Sequence, residues 1–206
     1  MGTYLNKLLV IAFAFGLAST AHAENHFILE LTGGLASDAG IDNDVDSGTA
    51  ASATFGIGGR IPGQSPAYYF IARVGRAEFG YQAGHPYAAT TVNRQQRDWA
   101  IGGRVYLPIT DRIRAVAQVA IGETIDEANV SQTGAQNLSL ASSTLSVFTQ
   151  AGLQFRVTDR FALGIAADMA IYPTHEAGSL ARRANYVGTN GEIGRTQIGA
   201  TGTFHF

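Results

Sequence analysis

An acidic run at residues 42–48, with the sequence DNDVDSG, is the densest group of side chains with metal-binding chemistry in the chain. Carboxylates at alternate positions can wrap a hard cation such as Ca²⁺. A calcium loop of the EF-hand type needs its glycine one place earlier than Gly48, and a glutamate at its twelfth position, where this chain has Ala53. We therefore predict a solvated acidic loop and no metal site, with a loose divalent-cation site as the alternative.

A second segment carries groups that could do acid–base chemistry. His175 and Glu176 form a candidate acid–base pair, with Ser179 close by as a candidate nucleophile. Such groups act together only where nucleophile, base and orienting group converge in space, which spacing along the chain does not establish. Arg182 and Arg183 add positive charge to the same segment. They predict a solvated loop or, alternatively, contact with anionic phosphates.

The other chemically active residue types are sparse. His26, His85 and His205 stand alone, without the spacing of metal ligands. The chain has no cysteine, which excludes disulfides, thiolate metal sites and a cysteine nucleophile. The formal net charge of −2 offers no basic surface for nucleic acid. The sequence therefore predicts no cofactor, no catalytic residue and no nucleic-acid partner.

The first 23 residues have the pattern of a secretory signal peptide. Lys7, the single lysine of the chain, precedes an apolar run at residues 8–18, and Ala21-His22-Ala23 supplies a small-x-small cleavage pattern. The run is shorter than the roughly 20 residues that a helical membrane span needs. We expect residues 1–23 to be cleaved and residues 24–206 to form one domain; an uncleaved N-terminal anchor is the alternative.

Most of the remaining chain alternates between apolar and polar residues with a period of two. In the clearest segment, Trp99 and Val105 share one face while Asp98 and Arg104 share the other. This alternation is typical of strands whose two faces meet different environments. Eight such strands are predicted, at residues 27–35, 51–61, 68–81, 98–107, 113–122, 145–157, 161–171 and 195–206.

The third predicted strand breaks the pattern. After Gly75 the alternation slips, because Arg76 and Glu78 fall on the apolar face. One extra residue in a strand restores the parity of the residues that follow it. We therefore predict a β-bulge near Gly75.

The connections between the predicted strands differ in length. Short turns are predicted at residues 62–66, 108–112 and 158–160, and long polar loops at residues 38–50, 82–96, 123–143 and 173–193. Short turns at one end and long loops at the other are typical of outer-membrane barrels, and strands of about ten residues match a tilted membrane crossing. The predicted fold is all-β: an eight-stranded antiparallel up-and-down transmembrane β-barrel with both termini on the periplasmic side.

A soluble β-sandwich would also alternate, but two features favour the barrel. The polar faces carry Gly, Ala, Thr, Gln and Arg, which suit a tight barrel interior. Aromatic residues cluster near strand ends on the apolar faces, as the two interfacial girdles of a membrane barrel require. One predicted girdle contains Phe27, Phe155, Phe161, Phe204 and Phe206, and the other contains Trp99, Phe79 and Tyr81.

The final residues, 201–206, have the sequence TGTFHF. They resemble the C-terminal signal of bacterial outer-membrane proteins, in which a last strand ending in phenylalanine is read by the barrel-assembly machinery; the residues that match are Phe204 and Phe206. Residues 24–206 resemble the small eight-stranded barrels of the OmpA-like, OmpX and opacity type in strand number, loop asymmetry and C-terminus. The resemblance implies a Gram-negative-type outer membrane.

An eight-stranded barrel encloses room for side chains or one small ligand. Because unpaired buried charge costs several kcal/mol, opposite charges inside should pair. We predict that Glu30 and Asp168 pair with Arg73 or Arg104 at mid-height, in a structural network that plugs the lumen; a polar path is the alternative. The predicted inward polar set is Glu30, Arg60, Arg73, Asp98, Arg104, Arg114, Gln118, Gln150, Gln154, Arg156, Asp168, Arg195 and Gln197.

In such a barrel, function resides in the long loops. We predict a non-enzymatic surface protein for adhesion, envelope integrity or defence. Its expected partners are outer-membrane lipid and lipopolysaccharide, the barrel-assembly machinery, and a host or envelope surface ligand. One alternative is OmpW-like passage of small apolar molecules, for which Ile71, Val116 and Phe148 leave some room. A lipid-modifying enzyme is the other, although residues 175–177 lack the His-x-Ser pattern of lipid A deacylases.

Overall fold

The computed structural model describes residues 27–39, 46–61, 63–85, 88–132, 138–172 and 193–206. Within these ranges, no helix has the length and apolarity that a membrane span requires. Several sequence predictions concern residues outside the described ranges. They are the signal peptide 1–23, His26, the acidic residues 42–45, and the candidate residues His175, Glu176, Ser179, Arg182 and Arg183.

Eight strands close into a single barrel in chain order. Each strand pairs antiparallel with the next, and the last returns to the first along an unbroken register from Ile28 opposite His205 to Ala39 opposite Gly194. This confirms the predicted eight-stranded antiparallel up-and-down fold. The strands are β1 (Phe27–Ala39), β2 (Asp46–Arg60), β3 (Ala67–His85), β4 (Ala88–Pro108), β5 (Ile113–Gln132), β6 (Leu138–Arg156), β7 (Phe161–Tyr172) and β8 (Ile193–His205).

The strands β3 to β6 continue far beyond their predicted ends. Pairing between β3 and β4 extends to His85 opposite Ala88, and pairing between β5 and β6 extends to Val130 opposite Leu138. The predictions of long loops at 82–96 and 123–143 are therefore wrong for most of both segments, and β1 and β2 also shorten the loop predicted at 38–50. Above the apolar zone the outward face meets water instead of lipid, so polar residues occupy both faces and the alternation disappears while the backbone hydrogen bonds persist.

The predicted β-bulge near Gly75 is absent. The register runs without interruption from Gly75 opposite Asp98 to Arg76 opposite Arg97, so Arg76 and Glu78 lie on the outward face. Both are exposed, and Arg76 Nη2 lies 2.5 Å from Glu78 Oε1. The apparent slip arises because β3 has left the apolar zone at this point.

The outward face below this point is a continuous apolar band. Its residues are strongly exposed, which is unusual for a water-soluble surface and expected for one in contact with lipid. Trp99 marks its upper edge and is 40% exposed. Exposed members of the band include Leu31, Leu35, Phe55, Val74, Val119, Ile121, Leu145, Ile165 and Ile198.

The aromatic girdle at the short-turn end agrees with the alternation. Phe27, Phe155, Phe204 and Phe206 are all exposed, and the rings of Phe161 and Phe204 pack with centroids 4.8 Å apart. The prediction for the opposite girdle is wrong at Phe79, whose side chain is buried inside the barrel with Ala36, Ala50 and Ala77. Uninterrupted parity along β3 turns this ring inward. The side chain of Tyr81 lies outside the described part of the structure.

Two of the short turns share one design. In Thr110-Asp111-Arg112 the threonine hydroxyl accepts a hydrogen bond from the Arg112 amide at 3.3 Å, and in Thr158-Asp159-Arg160 it accepts one from the Arg160 amide at 3.3 Å. Side-chain bonds of this kind favour turns over continued strand. The remaining turn closes with a bond from the Gln64 amide to the Ile61 carbonyl at 3.0 Å. There Gly63 has φ of 79°, a conformation that glycine adopts at no steric cost.

Candidate functional site: the barrel lumen and its lower mouth

The strand β4 supplies inward side chains along the whole height of the barrel. We call the end with the short turns the lower end. From that end upward, the buried side chains of β4 are Tyr106, Arg104, Ala100, Asp98, Gln96 and Arg94. These polar groups share the lumen with a cluster of buried apolar side chains that includes Ile28, Ile71, Val116 and Phe148.

Arg104 is the centre of a network that fills the lower lumen. Its Nη2 donates to Glu30 Oε1 at 2.8 Å and to Gln150 Oε1 at 2.7 Å. Its Nε donates to Gln118 Oε1 at 2.9 Å, and its Nη1 donates to the Tyr106 hydroxyl at 3.0 Å. All five residues are buried. The network therefore binds four different strands across the lumen, β1, β4, β5 and β6.

The Glu30 carboxylate is equally well occupied. Besides Arg104, it accepts hydrogen bonds at Oε2 from Gln154 Nε2 at 2.7 Å and from Thr203 Oγ1 at 2.9 Å. A buried ion pair is tolerated when further hydrogen bonds satisfy the remaining lone pairs and protons. Both charges of this pair meet that condition, whereas Gln118 Nε2 in the same network has no hydrogen-bond partner among the described residues.

A second group of charges lies higher in the lumen. Arg73 Nη1 donates to Asp168 Oδ1 at 2.8 Å, and Arg195 Nη2 donates to Asp98 Oδ2 at 2.5 Å. Arg73 Nε lies 3.9 Å from Asp98 Oδ1, so the two pairs form one cluster. The Arg73 guanidinium also lies over the ring of Phe148, 5.5 Å from its centroid.

The structure brings together the four residues named for the lumen network: Glu30 lies against Arg104, and Asp168 lies against Arg73. Ten of the thirteen side chains in the predicted inward polar set are buried. The other three line the lower mouth, where Arg114 is partly buried and Arg60 and Arg156 are exposed.

Sequence reasoning misses both residues of one buried ion pair, because they lie in segments predicted as loops. Arg94 Nε donates to both carboxylate oxygens of Asp126, at 2.8 and 2.7 Å. The even-numbered residues of β4 point inward, so continuing this pattern upward from Asp98 reaches Gln96 and then Arg94. It would therefore identify one partner of the pair. Charged side chains thus occupy the interior even above the apolar band.

The lower mouth is a cavity of about 660 Å³. Tyr69 and Tyr106 form its floor, with their rings edge to face and centroids 5.4 Å apart. Arg114 lies over the Tyr106 ring, 4.3 Å from its centroid, and donates to Gln154 Oε1 at 2.7 Å. This concave surface carries positive charge.

Among the described residues, no group of three or more His, Asp, Glu or Cys side chains could hold a metal ion. His205 is buried in the lumen wall against Arg114. The side chain of His85 and the whole of His26 lie outside the description. The outward rim instead holds surface contacts, such as the bond from Trp99 Nε1 to Glu123 Oε2 at 3.0 Å.

Comparison with solved structures places the fold among outer-membrane proteins. Neisserial surface protein A matches with a TM-score of 0.54 at 10% identity, covering 87% of this chain and 97% of that chain. Ail, the attachment invasion locus protein of Yersinia pestis, matches at 0.51 and 12% identity, covering 88% and 99%. The outer-membrane protease OmpT of Escherichia coli matches at 0.51 and 8% identity, covering 91% and 100%.

No protein-family model matches the chain, and no curated protein sequence matches it either. The likeness to the solved structures is therefore one of fold. Strand number, closure and neighbours agree with the resemblance inferred from the sequence: the chain has the fold of the small eight-stranded barrels of bacterial outer membranes.

Proposed function

We propose that this chain is an integral outer-membrane protein without catalytic activity, whose long strands and upper loops present a binding surface outside the cell. One observation carries the proposal. The apolar band ends near Trp99, whereas β3 to β6 continue above it as paired strands. Their outward faces there carry charged residues, among them Arg76, Glu78 and Arg97. A strand that only crosses the membrane has no need of this extension.

The orientation follows from the same asymmetry. Outer-membrane barrels keep their short turns in the periplasm and their longer connections outside. We propose that residues 1–23 direct export and are removed, and that Phe204 and Phe206 are read by the barrel-assembly machinery. Lipopolysaccharide then surrounds the upper part of the apolar band.

The lumen network serves as a plug in this proposal. Glu30, Arg73, Arg104 and Asp168 hold the strands together across the interior and place two buried ion pairs in the lumen. OmpW-like passage of small apolar molecules would need an apolar lumen that opens sideways to lipid. The polar filling and the unbroken pairing of β1 with β8 argue against it.

Adhesion is the activity that we favour among the surface roles. The Yersinia neighbour is an attachment invasion locus protein, while the Escherichia neighbour is a protease. The tall sheet offers charged and polar side chains at its outward surface, which suits attachment to a polar partner. A hydrolytic role would depend instead on Ser179, His175 and Glu176.

Location and orientation can be tested by chemical labelling, because the chain has no cysteine. Asn93→Cys places a thiol on the exposed part of β4 above the band, and Gln64→Cys places one in a short turn. On intact cells, a membrane-impermeant maleimide should label the first and reach the second only after lysis. The reverse pattern would overturn the orientation. A soluble protein whose gel migration is unchanged by boiling would overturn the barrel in the membrane.

The binding surface can be tested by shortening one hairpin. Gly80 pairs with Asn93, so replacing residues 81–92 by Asn-Gly leaves a two-residue turn on the same register. Cells displaying this variant should adhere to host cells several-fold less well than cells displaying equal amounts of the parent. Unchanged adhesion would mean that another loop provides the binding surface. The matched control replaces residues 130–138, between Asn129 and Ser139, in the same way.

Two further measurements test the alternatives. Overexpression should leave the mass spectrum of lipid A unchanged, and a new lipid A species that disappears in Ser179→Ala would establish an enzyme. The parent protein should form no channels in planar bilayers. A raised single-channel conductance in Glu30→Ala, on a conducting parent, would favour the polar path over the plug.

A further inference from the structure

The lower mouth combines a cavity with a concentration of cationic side chains. Its volume of about 660 Å³ lies in the range of small-molecule sites. Four arginines from four different segments line it: Arg60, Arg112, Arg114 and Arg156. Two carboxylates, Asp111 and Asp159, lie in the same wall and leave an excess of positive charge. This excess stands out in a chain whose formal net charge is −2.

One of these arginines is held in place before any ligand arrives. Arg114 stacks on the Tyr106 ring at 4.3 Å, and its Nε and Nη2 both donate to Gln154 Oε1. Its Nη2 also contacts His205 Nε2, which must be the acceptor because a guanidinium only donates. The Nη1 group has no partner among the described residues. The guanidinium is therefore fixed by its inner edge, with donors left for the cavity.

The other arginines of the mouth differ from those inside the barrel. Arg73, Arg94, Arg104 and Arg195 each lie within salt-bridge distance of a carboxylate. No described carboxylate lies within that distance of the mouth arginines, Arg60, Arg112 and Arg156. Among the described residues, the buried arginines of the lumen are thus paired with carboxylates. At the mouth the protein leaves a ring of arginines open around a concave surface.

We propose that the lower mouth binds an oxyanion of the phosphate class that carries at least two negative charges. Guanidinium forks match phosphate oxygens in a bidentate manner, and several arginines converging on one cavity favour a multiply charged ligand. The tyrosine floor at Tyr69 and Tyr106 limits how deep the ligand can enter, because the central network lies directly behind it. The site is independent of the adhesive role proposed for the opposite end.

Two sources could supply this chemistry at the lower mouth: a soluble phosphorylated compound, or the headgroup of an anionic phospholipid in the adjacent leaflet. Both present phosphate oxygens to the same arginines. They differ in whether the surrounding bilayer competes for the site, and the experiment distinguishes them on that basis.

The test is calorimetric titration of the refolded full chain in zwitterionic detergent micelles with inorganic pyrophosphate. Saturable binding of one pyrophosphate per barrel is expected, with an affinity that falls as salt is added. The double variant Arg60→Gln/Arg156→Gln should weaken binding at least ten-fold. Both side chains are exposed, and a heat-dependent gel shift checks that the variant folds.

A matched pair of turn variants supplies the control. Arg112 and Arg160 occupy the same place in two turns of the same sequence, but only Arg112 lines the cavity. Arg112→Gln should weaken pyrophosphate binding several-fold, while Arg160→Gln should leave it within two-fold of the parent. Equal losses in both variants, or an absence of saturable binding to the parent, would overturn the site.

The source of the phosphate is assigned in lipid nanodiscs. If a lipid headgroup occupies the mouth, discs containing phosphatidylglycerol should lower the apparent affinity for pyrophosphate relative to discs of phosphatidylcholine, and Arg112→Gln should reduce that difference. Equal affinity in both discs supports a soluble ligand. An affinity lowered equally in parent and Arg112→Gln means that the lipid acts elsewhere, which would overturn the headgroup assignment.

Discussion

In the described part of the chain, the two halves of the barrel differ in height. The strands β7, β8, β1 and β2 have 12, 13, 13 and 15 residues, close to what a tilted membrane crossing needs. Their neighbours β3, β4, β5 and β6 have 19, 21, 20 and 19 residues. The described residues of the short half thus reach about the height of a membrane crossing. The tall half adds a four-stranded sheet that stands above it.

The unequal heights show where each part of the structure gets its stability. Inside the band, lipid covers the outward face of each strand. On the inward face, buried ion pairs connect strands across the lumen. In the tall sheet, water reaches the outward face, and backbone pairing is reinforced by contacts between adjacent strands, such as Arg94 with Asp126. Substitutions in the two regions should therefore differ in how much they lower the free energy of unfolding and in how much of the barrel they affect.

The largest effect is expected from Glu30→Ala, which removes the carboxylate at the centre of the lower network. Arg104 would then be buried without its counter-charge, and breaking such a pair costs about 3–5 kcal/mol of unfolding free energy. Urea titration in micelles measures this, followed by the fluorescence of Trp99, the single tryptophan. The control is Glu127→Ala, whose exposed contact with Arg97 spans 3.6 Å. Equal shifts in both variants would contradict the distinction between the halves.

A smaller and more local effect is expected from Arg94→Gln. The variant loses a bidentate contact with Asp126 on the strands above the band, and hydrogen bonds to charged groups contribute roughly 1.5–3 kcal/mol. Hydrogen exchange should show faster exchange of the amides of residues 92–97. Amides of the short half, such as those of β7, should be unchanged. Faster exchange throughout the barrel would mean that the tall sheet is not an independent unit.

Gly75→Ala tests the boundary between the two regions. An added Cβ at this position would lie 2.2 Å from Asp98 Oδ1, and so would displace the carboxylate that Arg195 binds. Overpacking of this kind typically costs about 1–3 kcal/mol. The matched control is Gly103→Ala, where an added Cβ meets nothing within 4 Å. A loss for Gly103→Ala as large as that for Gly75→Ala would show that strand glycines act here through the backbone alone.

The sequence predicts the strands well inside the apolar band and poorly above it. Within the band, the two environments impose a strict alternation, so the pattern correctly assigns Trp99 and Asp98 to opposite faces. Above it the alternation fails. There the outward-facing Arg76 and Glu78 lead to the wrong prediction of a bulge, and the pattern therefore assigns Phe79 to the wrong face. Pairing by backbone hydrogen bonds leaves no compositional signature when polar residues occupy both strand faces.

The two candidate sites, the lumen network and the lower mouth, differ in how far the sequence predicts them. The pairing of Glu30 and Asp168 with arginines is predictable, because a closed lumen forces opposite charges together. The mouth is not, since its arginines come from β2, β5, β6 and a turn, and only the closure of the barrel gathers them. The alternation correctly assigns Arg60, Arg114 and Arg156 inward. Nothing in their spacing, however, indicates that they share a cavity without carboxylate partners.

The smallest effect is expected from Arg76→Gln on the outward face of the tall sheet. Arg76 and Glu78 are both more than half exposed, and exposed ion pairs contribute roughly 0–1 kcal/mol because water screens them and ordering long side chains costs entropy. The midpoint of urea unfolding should barely move, and 1 M salt, where the Debye length is about 3 Å, should remove any difference from the parent. A loss as large as that of Glu30→Ala, persisting in salt, would mean that this pair is shielded from water by a neighbouring molecule. In that case the apolar band would not end at Trp99, and the tall sheet would be part of the membrane barrel rather than a surface above it.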